Sequence, residues 1–510
     1  MRLARYRLIS KGLSRTVIGM RFAKRTIFPL ALVSLMGQPA VAQDLPSEVT
    51  LFKNVNVFNG TSDTLLKDHD VLVVRNLIEK VAKDIPSSGS YTLDAKTGGL
   101  RKLETPPTLD YHASNVVMVY EEEKTVKKEV KVKVIDGGGR TLMPGMIEAH
   151  GHVTYSSPLA DMLLNHDQTE QAIRSARRAH DYLMAGFTTV RDMGGNSVGV
   201  QKALDAGVFP GPRIYSSGPS ISQTTGHGDF RTANDGHPYF DGRERAGVAD
   251  RLGFTRIADG VDEVRRAVRD NLFRGAAQIK IMTGGGVTSF TDPLFAPQYS
   301  PEEIKAAVDE ATRYGTYVAV HAQTNAGVVA ALDAGAISIE HGLILEEETV
   351  KRMAEVGAYY DPQAFLALQD VSKNPMFQDP IQQEKNRQVA KGTPQAIEWA
   401  KKYKVKFLWG TDVFFGDDAF KNFRQEFAYR DRFFTPIEQM QQVTGNNGEV
   451  LALSGWKDPY PHGDLGVIKK GAYADILLID GDPTQDIRLL MDSANLVLIM
   501  KDGKIYKNEL

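Results

Sequence analysis

The sequence contains no cysteine among its 510 residues. Disulfide bonds, thiolate metal sites and a cysteine nucleophile are therefore all excluded. After residue 42 the chain also lacks any apolar run long enough to cross a membrane as a helix. Apolar residues nevertheless make up 42% of the chain, which suffices for the buried core of one large domain and a smaller one.

The first 42 residues have the pattern of a secretory signal peptide. Three basic residues at 21–25 precede the apolar segment TIFPLALVSLMG, and Ala-Val-Ala at 40–42 is a small-x-small cleavage pattern. The alternative for this segment is a buried N-terminal helix. We predict removal of residues 1–42 and a periplasmic or secreted protein. Because Met20 would open a more ordinary signal than Met1, the true start is left open between the two.

The chain after residue 42 also has no net positive charge. Residues 1–42 hold eight of the 61 Lys and Arg and none of the 63 Asp and Glu, so the chain that follows has a formal net charge of about −10. Nucleic acid is not an expected partner, because phosphate binding requires a basic surface. After removal of the signal we expect no membrane partner, and we expect a homo-oligomer.

Strand-like and helix-like segments alternate between residues 144 and 455. The helical segments are amphipathic; the one at 301–315, for example, opens with Pro and closes on Gly. Eight such strands predict a parallel α/β architecture, and eight is the number that closes a (β/α)8 TIM barrel. The predicted strands are 146–152, 187–193, 213–218, 278–282, 317–322, 337–342, 358–363 and 406–412.

The two flanks of this region contain short strands without a helical pattern. We predict that residues 43–143 and 456–510 form one small β-sandwich domain built from both chain ends. Within the first flank, turn signals and the charged run EEEKTVKK mark residues 84–128 as an insertion. A protruding hairpin or loop is expected there, with an oligomer contact or a lid as its alternative roles.

Six side chains suited to metal chemistry lie at the ends of the apolar runs: His150, His152, Lys280, His321, His341 and Asp412. Imidazole and carboxylate are the groups that hold borderline divalent metals. Because residues two apart in a strand point to the same side, His150 and His152 can coordinate the same ion. The set therefore predicts a metal site at one end of the barrel, the face where the active sites of such barrels lie.

Each of these residues also has a structural alternative. A lone His-x-His, or a single histidine at a strand end, is often not a ligand, and Asp412 could cap the next helix. Lys280 could pair with an acid in the barrel interior. Its ammonium would repel a cation, but carboxylation by CO2 would give an anion that can bridge two metals.

At these residues the sequence resembles the amidohydrolase superfamily, over nearly all of the chain after residue 42. The resemblance rests on TLMPGMIEAHGH, QIKIMTGGG, VAVHAQTNAGVVAALDAGAISIEHG, FLWGTD and DLGVIKKGAYADILLIDGDP. These segments are most similar to the branch with Xaa-Pro dipeptidases, related carboxypeptidases and ochratoxin-hydrolysing amidases. The insertion at 84–128 departs from that pattern and bears on substrate access and oligomer shape.

The resemblance implies a site with two divalent ions, expected to be Zn²⁺, that lower the pKa of a shared water. It implies Asp412 as the group that accepts the proton of that water and passes it to the departing amine. The implied ligands are His150, His152 and Asp412 for one ion, His321 and His341 for the other, and carboxylated Lys280 as the bridge.

Other residues are candidates for roles beside the metals. His227, in TTGHGDFR, is predicted to hydrogen-bond the substrate carbonyl or oxyanion, with a loop-structural role as the alternative. Asp229 and Arg231 could orient neighbours or bind a substrate carboxylate, and Tyr155 could line the pocket. The long apolar segment 364–380 is expected to shape specificity.

The predicted function is hydrolysis of an amide or peptide bond next to a C-terminal amino acid. Such an enzyme would be a dipeptidase or carboxypeptidase, or an amidase that acts on N-acyl amino acids or ochratoxin. A mononuclear hydrolase of cyclic amides, similar to imidazolonepropionase, is the rival enzyme. Lys280 argues against it, because a site with one metal needs no bridge. The alternative that is not an enzyme is a barrel scaffold that has lost its catalytic activity. Such a protein should have lost metal ligands, yet all six positions carry residues that can bind a metal or bridge two.

Overall fold

The computed structural model describes residues 48–87, 131–242, 246–372, 377–413, 416 and 420–510. All of them belong to one unit, Leu45–Leu510. The predicted signal peptide and most of the predicted insertion at 84–128 lie outside the described residues. No helix in the described ranges is both long and apolar enough to span a membrane.

Strands from both ends of the chain belong to one eight-stranded sheet. Its order is β18-β17-β16-β5-β1-β2-β3, with β4 paired to β1. The two ends join where β16 runs antiparallel to β5, with Leu477 opposite Met143. The strands are β1 Glu48–Val57, β2 Leu66–Val74, β3 Leu77–Ala82, β4 Lys131–Asp136, β5 Thr141–Pro144, β16 Ile476–Ile479, β17 Leu496–Lys501 and β18 Lys504–Asn508.

Between these ends the chain forms two parallel sheets, which confirms the predicted parallel α/β architecture. One has the order β6-β7-β8 and the other β10-β9-β11-β12-β13-β14-β15. Every residue of β6 and β11 is buried, as expected for parallel strands covered on both faces. The strands are β6 Met146–Gly151, β7 Phe187–Asp192, β8 Arg213–Ser216, β9 Ser220–Ser222, β10 Thr255–Ile257, β11 Ile279–Met282, β12 Val318–Thr324, β13 Ser338–Ile344, β14 Tyr359–Asp361 and β15 Lys406–Phe407.

Backbone hydrogen bonds connect the two parallel sheets at both edges. Ala277 N, just before β11, donates to Ser216 O of β8 over 2.7 Å. At the other edge Ala149 N donates to Trp409 O over 3.1 Å, and Asp412 N donates to His150 O over 2.9 Å. The segment after β15 therefore lies directly beside β6.

Helices follow most of the parallel strands. At α6 the local sequence explains the start of the helix: Ser300 and Glu303 form a capping box, with Pro301 in the first turn. The helices are α1 Leu159–Asn165, α2 Gln168–Met184, α3 Val198–Asp205, α4 Val248–Leu252, α5 Gly260–Arg274, α6 Pro301–Arg313, α7 Asn325–Ala334, α8 Glu347–Glu355, α9 Ala364–Leu368, α10 Pro380–Lys402, α11 Gln425–Arg430, α12 Pro436–Gln441 and α13 Asn447–Ala452. A π-helical turn, Gln442–Asn446, joins α12 to α13.

Two parts of this architecture were not predicted from the sequence. The strands β9 and β10 were not predicted, because three-residue strands carry too little periodicity to detect. The other is the start of α10 at Pro380, where Asp379 accepts hydrogen bonds from Ile381 N and Gln382 N. Its first turns bury polar side chains, so no apolar stripe marks them in the sequence.

Candidate metal centre and active site

All six predicted metal-site side chains line one cleft at the carboxyl ends of the parallel strands. The strand register brings them there: Met282 of β11 pairs with His321 of β12, and Ala322 pairs with His341 of β13. Asp412 arrives from the segment after β15, which is hydrogen-bonded to the strand of His150. Residues up to 262 positions apart in the sequence therefore meet at one place.

Three of the six side chains converge on one point. Asp412 Oδ1 lies 2.9 Å from His152 Nε2 and 3.5 Å from His150 Nε2. One ligand atom from each of these three residues lies within 4.8 Å of the other two. This spacing suits donors gathered round a single ion.

The other two histidines stand beside this group. The ring centroids of His321 and His341 are 4.4 Å apart, and His341 Nε2 lies 3.8 Å from Asp412 Oδ2. His321 Nε2 donates to Gly285 O over 3.2 Å. The lone pair of His321 is therefore on Nδ1, the nitrogen left for a metal.

Lys280 lies among the histidines with its Nζ 3.3 Å from His150 Nε2. The side chain is 2% exposed. Among the described residues no carboxylate oxygen comes within 4.0 Å of this nitrogen. The alternative of a lysine paired with an acid is therefore not what the structure has, and a buried unpaired ammonium is costly.

Burial shifts the protonation of these groups toward the forms that bind metals. It lowers the pKa of His341 to about 4 and the pKa values of His150 and His321 well below their usual range, so these three imidazoles are neutral. Burial also lowers the pKa of Lys280 to about 8. For Asp412, burial opposes ionisation, but His150 and His152 hold its pKa below the usual value.

A layer of buried acids supports the site, and the sequence-based prediction missed it. Glu340 Oε2 accepts from His150 Nδ1 over 2.8 Å and is itself paired with Arg191 at 2.9 Å. Glu148 accepts from His150 N and Thr411 N, each at 2.9 Å. These bonds orient the first histidine and leave its Nε2 for an ion. The sequence feature that could have indicated these acids is a glutamate within an otherwise apolar strand, Glu148 in IEAHGH and Glu340 in SIEHG.

Three cleft residues have left-handed backbone conformations that non-glycine residues rarely adopt. The φ angles are +72° at His341, +51° at Asp412 and +43° at Gln363. Such a conformation costs about 1–3 kcal/mol each and clusters at functional sites. The strand ends are therefore bent to aim these side chains into the cleft.

His227 also lies in the cleft. Its ring stacks on His321 with 4.0 Å between centroids, and its Nδ1 lies 2.8 Å from Ser289 Oγ. Burial lowers the pKa of the imidazole. Gly286 is essential for this packing, because a Cβ there would stand 2.0 Å from the His227 ring.

Two other residues near His227 do not reach the cleft. Arg231 forms an ion pair with Asp229 at 2.6 Å, and neither lines the cleft. The predicted binding of a substrate carboxylate by Arg231 is therefore not supported, because its guanidinium is taken up locally. Asp229 instead accepts from Thr225 N at 2.9 Å and shapes its own loop.

The rest of the cleft wall is mostly apolar. Tyr155 lines it and stacks on His152 at 4.7 Å, as predicted. The segment 364–380, expected to shape specificity, contributes Leu366, Ala367 and Phe377. Helix α10 adds Asn386 and Val389.

Parallel strands that gather neutral imidazoles and a carboxylate at one end are characteristic of metal-dependent hydrolases. The amidohydrolase family model matches residues 141–506, and the chain belongs to that family. Within it the chain is a hydrolase that acts on amide or peptide C–N bonds.

Relatives of known structure or function agree with this assignment. Ochratoxinase from Aspergillus niger is 34% identical over 72% of this chain and 75% of its own length. The crystal structure of an amidohydrolase superposes with a TM-score of 0.74 at 32% identity, covering 91% of this chain and all of the other. A prolidase complexed with N-methylphosphonate-L-proline gives a TM-score of 0.73 at 30% identity, covering 90% of this chain and all of the other.

Proposed function

We propose that this protein is a binuclear metal-dependent amidohydrolase that releases a C-terminal amino acid from a dipeptide or another small N-acyl amino acid. One observation carries the proposal: Lys280 is buried beside His150 in the cleft that the other three histidines line, and no carboxylate of the described residues pairs with it. A carbamate on this lysine would replace an unfavourable ammonium by an anion that two cations stabilise.

The proposed architecture is a (β/α)8 barrel with a β-sandwich domain built from both chain ends. The hydrogen bonds that link β8 to the start of β11, and β6 to the segment after β15, support closure of the two parallel sheets into a barrel. The pairing of β16 with β5 supports a domain shared by the two ends, with the barrel at 144–455 between its parts.

The residues present fit two divalent ions, with Zn²⁺ as the proposed metal. Neutral buried imidazoles and an ionised carboxylate are the donor forms that zinc requires. When bound, such ions activate water and polarise the scissile carbonyl. The proposed holders are His150, His152 and Asp412 for one ion, His321 and His341 for the other, and carboxylated Lys280 between them.

Carboxylation needs the neutral amine of Lys280. Its nitrogen would form a bond to the carbon of CO2 as one C=O π bond opens to an oxyanion, and the proton that the nitrogen loses would pass to water. At the lowered pKa of about 8, about a tenth of the side chains are neutral at pH 7. At the usual pKa of 10.5, only about one in three thousand would be. Burial therefore prepares this lysine for the reaction.

Two side chains of the cleft are proposed to act directly on the substrate. Asp412, kept ionised by its histidine neighbours, would take a proton from the attacking water and deliver it to the amine nitrogen as the C–N bond breaks. His227 would hydrogen-bond the carbonyl oxygen. The apolar walls around them would limit the access of water.

Replacement of His227 by Ala is expected to lower kcat by about 100-fold, the usual cost of losing one oxyanion donor. Zinc content should stay unchanged, because His227 stacks on His321 but is not itself a proposed metal ligand. His237→Ala is the matched control: this histidine bonds Thr224 in the same loop and does not line the cleft. A kcat for His227→Ala within threefold of wild type would contradict the role.

The composition of the cleft indicates which substrates fit. In the described part of the chain, no Lys, Arg, Asp or Glu lines the cleft apart from Lys280 and Asp412. The wall is instead formed by side chains such as Met193, Phe230 and Leu343. The α-carboxylate is common to every candidate substrate and does not distinguish among them, but a charged side chain would be an additional charge buried there without a partner, which costs free energy. We therefore propose substrates with neutral, apolar side chains.

The test is hydrolysis of a library of dipeptides and N-acyl amino acids by the zinc-loaded enzyme. The library should contain matched pairs, norleucine with lysine and glutamine with glutamate, on each side of the scissile bond. We expect kcat/KM for the neutral member to exceed that for the charged member by about 100-fold. No hydrolysis of any member would sink the proposed function, whereas equal hydrolysis within pairs would sink only the side-chain preference.

The rival enzyme, a mononuclear hydrolase of cyclic amides, differs in metal content. Elemental analysis should give two ions per chain for the binuclear enzyme and one for the rival. We also propose export to the periplasm or the medium, and a homo-oligomeric assembly. N-terminal sequencing of the mature protein and its mass in solution test these two proposals.

A further inference from the structure

The loop that follows β11, residues 283–299, holds His227 in place; it is called here the β11 loop. Ser289 Oγ lies 2.8 Å from His227 Nδ1, and Gln298 Oε1 accepts from His227 N over 2.9 Å. Gly286 leaves the room that the ring occupies. The position of the imidazole in the cleft therefore depends on the shape of a loop distant in sequence.

Asp292 fixes the shape of this loop from within. Its Oδ2 accepts from Gly286 N over 2.9 Å and from Gln298 Nε2 over 3.0 Å. The side chain is 3% exposed, and the same oxygen lies 3.8 Å from His227 Nδ1. One carboxylate thus joins the glycine beneath the ring to the glutamine that binds the His227 backbone.

Lys385 of α10 fixes the loop from outside. Its Nζ donates to three loop carbonyls, Gly286 O at 3.0 Å, Ser289 O at 2.9 Å and Asp292 O at 2.7 Å. An ammonium has three N–H groups, so all of its donors are used on this loop. The side chain is 6% exposed and does not line the cleft.

We propose that Lys385 and Asp292 are positioning residues, which hold the β11 loop so that Ser289 and Gln298 set the orientation of the His227 ring. The inference rests on the proposed function only in that His227 acts on the substrate carbonyl. Lys385 touches neither substrate nor any proposed metal ligand, and its effect on turnover passes through His227. Small misplacement of a catalytic group is known to be costly, about 100-fold for about 1 Å.

The experiment is a double-mutant cycle between Lys385 and His227, measured on the zinc-loaded enzyme. Lys385→Met should lower kcat by about 10- to 100-fold with KM and zinc content little changed. In a His227→Ala background the same substitution should change kcat by less than about twofold, since the group it positions is gone. Equal losses in both backgrounds, or no loss in the wild-type background, would overturn the inference.

Gln382 provides a matched control on the same helix and the same loop. It lies one turn before Lys385, and its Nε2 donates to Thr288 O over 2.6 Å. Gln382→Leu removes a bond between α10 and the β11 loop without touching the residues that hold His227. We expect kcat to stay within about threefold of wild type in both backgrounds. A loss as large as that of Lys385→Met would show that any contact between helix and loop has the same effect, which contradicts a specific role.

Ser289 tests the same inference without removing a buried charge. Ser289→Ala deletes the hydroxyl at His227 Nδ1, and Ser289→Thr keeps it. We expect a lower kcat for the Ala variant, recovery in the Thr variant, and no further loss when Ser289→Ala is added to His227→Ala. If His227→Ala lowers kcat but Ser289→Ala and Lys385→Met do not, the proposed function stands and the positioning inference falls.

Discussion

Asp412→Asn should lower kcat by about a thousandfold or more, while at least one ion per chain remains bound. The substitution keeps the size of the side chain and an oxygen near His150 and His152, but an amide cannot accept the proton of the attacking water. Without that proton the amine is a poor leaving group. The measurement is kcat on the best neutral substrate together with zinc content by elemental analysis.

A carboxylate outside the cleft provides the control for this variant. Asp70→Asn makes the same chemical change in a buried residue of β2 that pairs with Lys53 and does not line the cleft. Its kcat should remain within about threefold of wild type. Near-normal turnover by Asp412→Asn would remove Asp412 as the proton carrier, and complete loss of both ions would mean that the variant reports on metal binding instead.

The sequence allowed good prediction of the parallel strands and of the residues at their ends. All eight predicted strands begin within one residue of their observed starts, because each is a continuous apolar run bounded by turns and helices. Lys280, His321 and His341 could be placed beside one another, since neighbouring parallel strands end at the same edge of a sheet.

What could not be predicted depends on contacts between distant segments. The role of Glu340 could not be predicted, because its position directly before His341 does not indicate that it binds a different histidine, His150. The role of Lys385 could not be predicted either, because a lysine in a polar helix is normally solvated. The three carbonyls that it binds lie 93 to 99 residues earlier in the sequence. The left-handed backbone at His341 and Asp412 likewise has no local sequence signal.

Those distant contacts also show which parts of the structure position the proposed catalytic groups. The proposed ligands lie on strands or at strand ends that the sheet register places, whereas His227 lies on a loop that other loops and α10 must hold. Substitutions at Ser289 and Lys385 should therefore change turnover while metal binding persists, whereas Gly285 of the same loop binds the proposed ligand His321 and is an exception. Substitutions beneath the strand ends, such as at Glu340, should change metal binding first, because Glu340 orients His150.

Lys280→Ala should reduce the metal content from two ions per chain to one or none and lower kcat by about a thousandfold or more. An alanine cannot form the bridging carbamate, and the one negative charge of Asp412 does not compensate the charge of two adjacent cations. Short carboxylic acids such as propionate should restore part of the activity of this variant, because a carboxylate can occupy the space of the missing carbamate. The wild-type protein grown or exchanged with ¹³C-bicarbonate should give a carbamate signal by NMR that Lys280→Ala lacks.

Lys501 supplies a matched control, since it is also buried, at 6% exposed, but lies in β17 of the sheet formed by the chain ends. Lys501→Met should leave the metal content, the carbamate signal and kcat close to wild type, even if the protein unfolds at a lower temperature. Two ions and near-normal turnover in Lys280→Ala would refute the bridge. A wild-type crystal structure with one ion and an unmodified Lys280 would do the same, and would favour the mononuclear alternative, because a single ion leaves the buried lysine without the partner charges that make its carboxylation favourable.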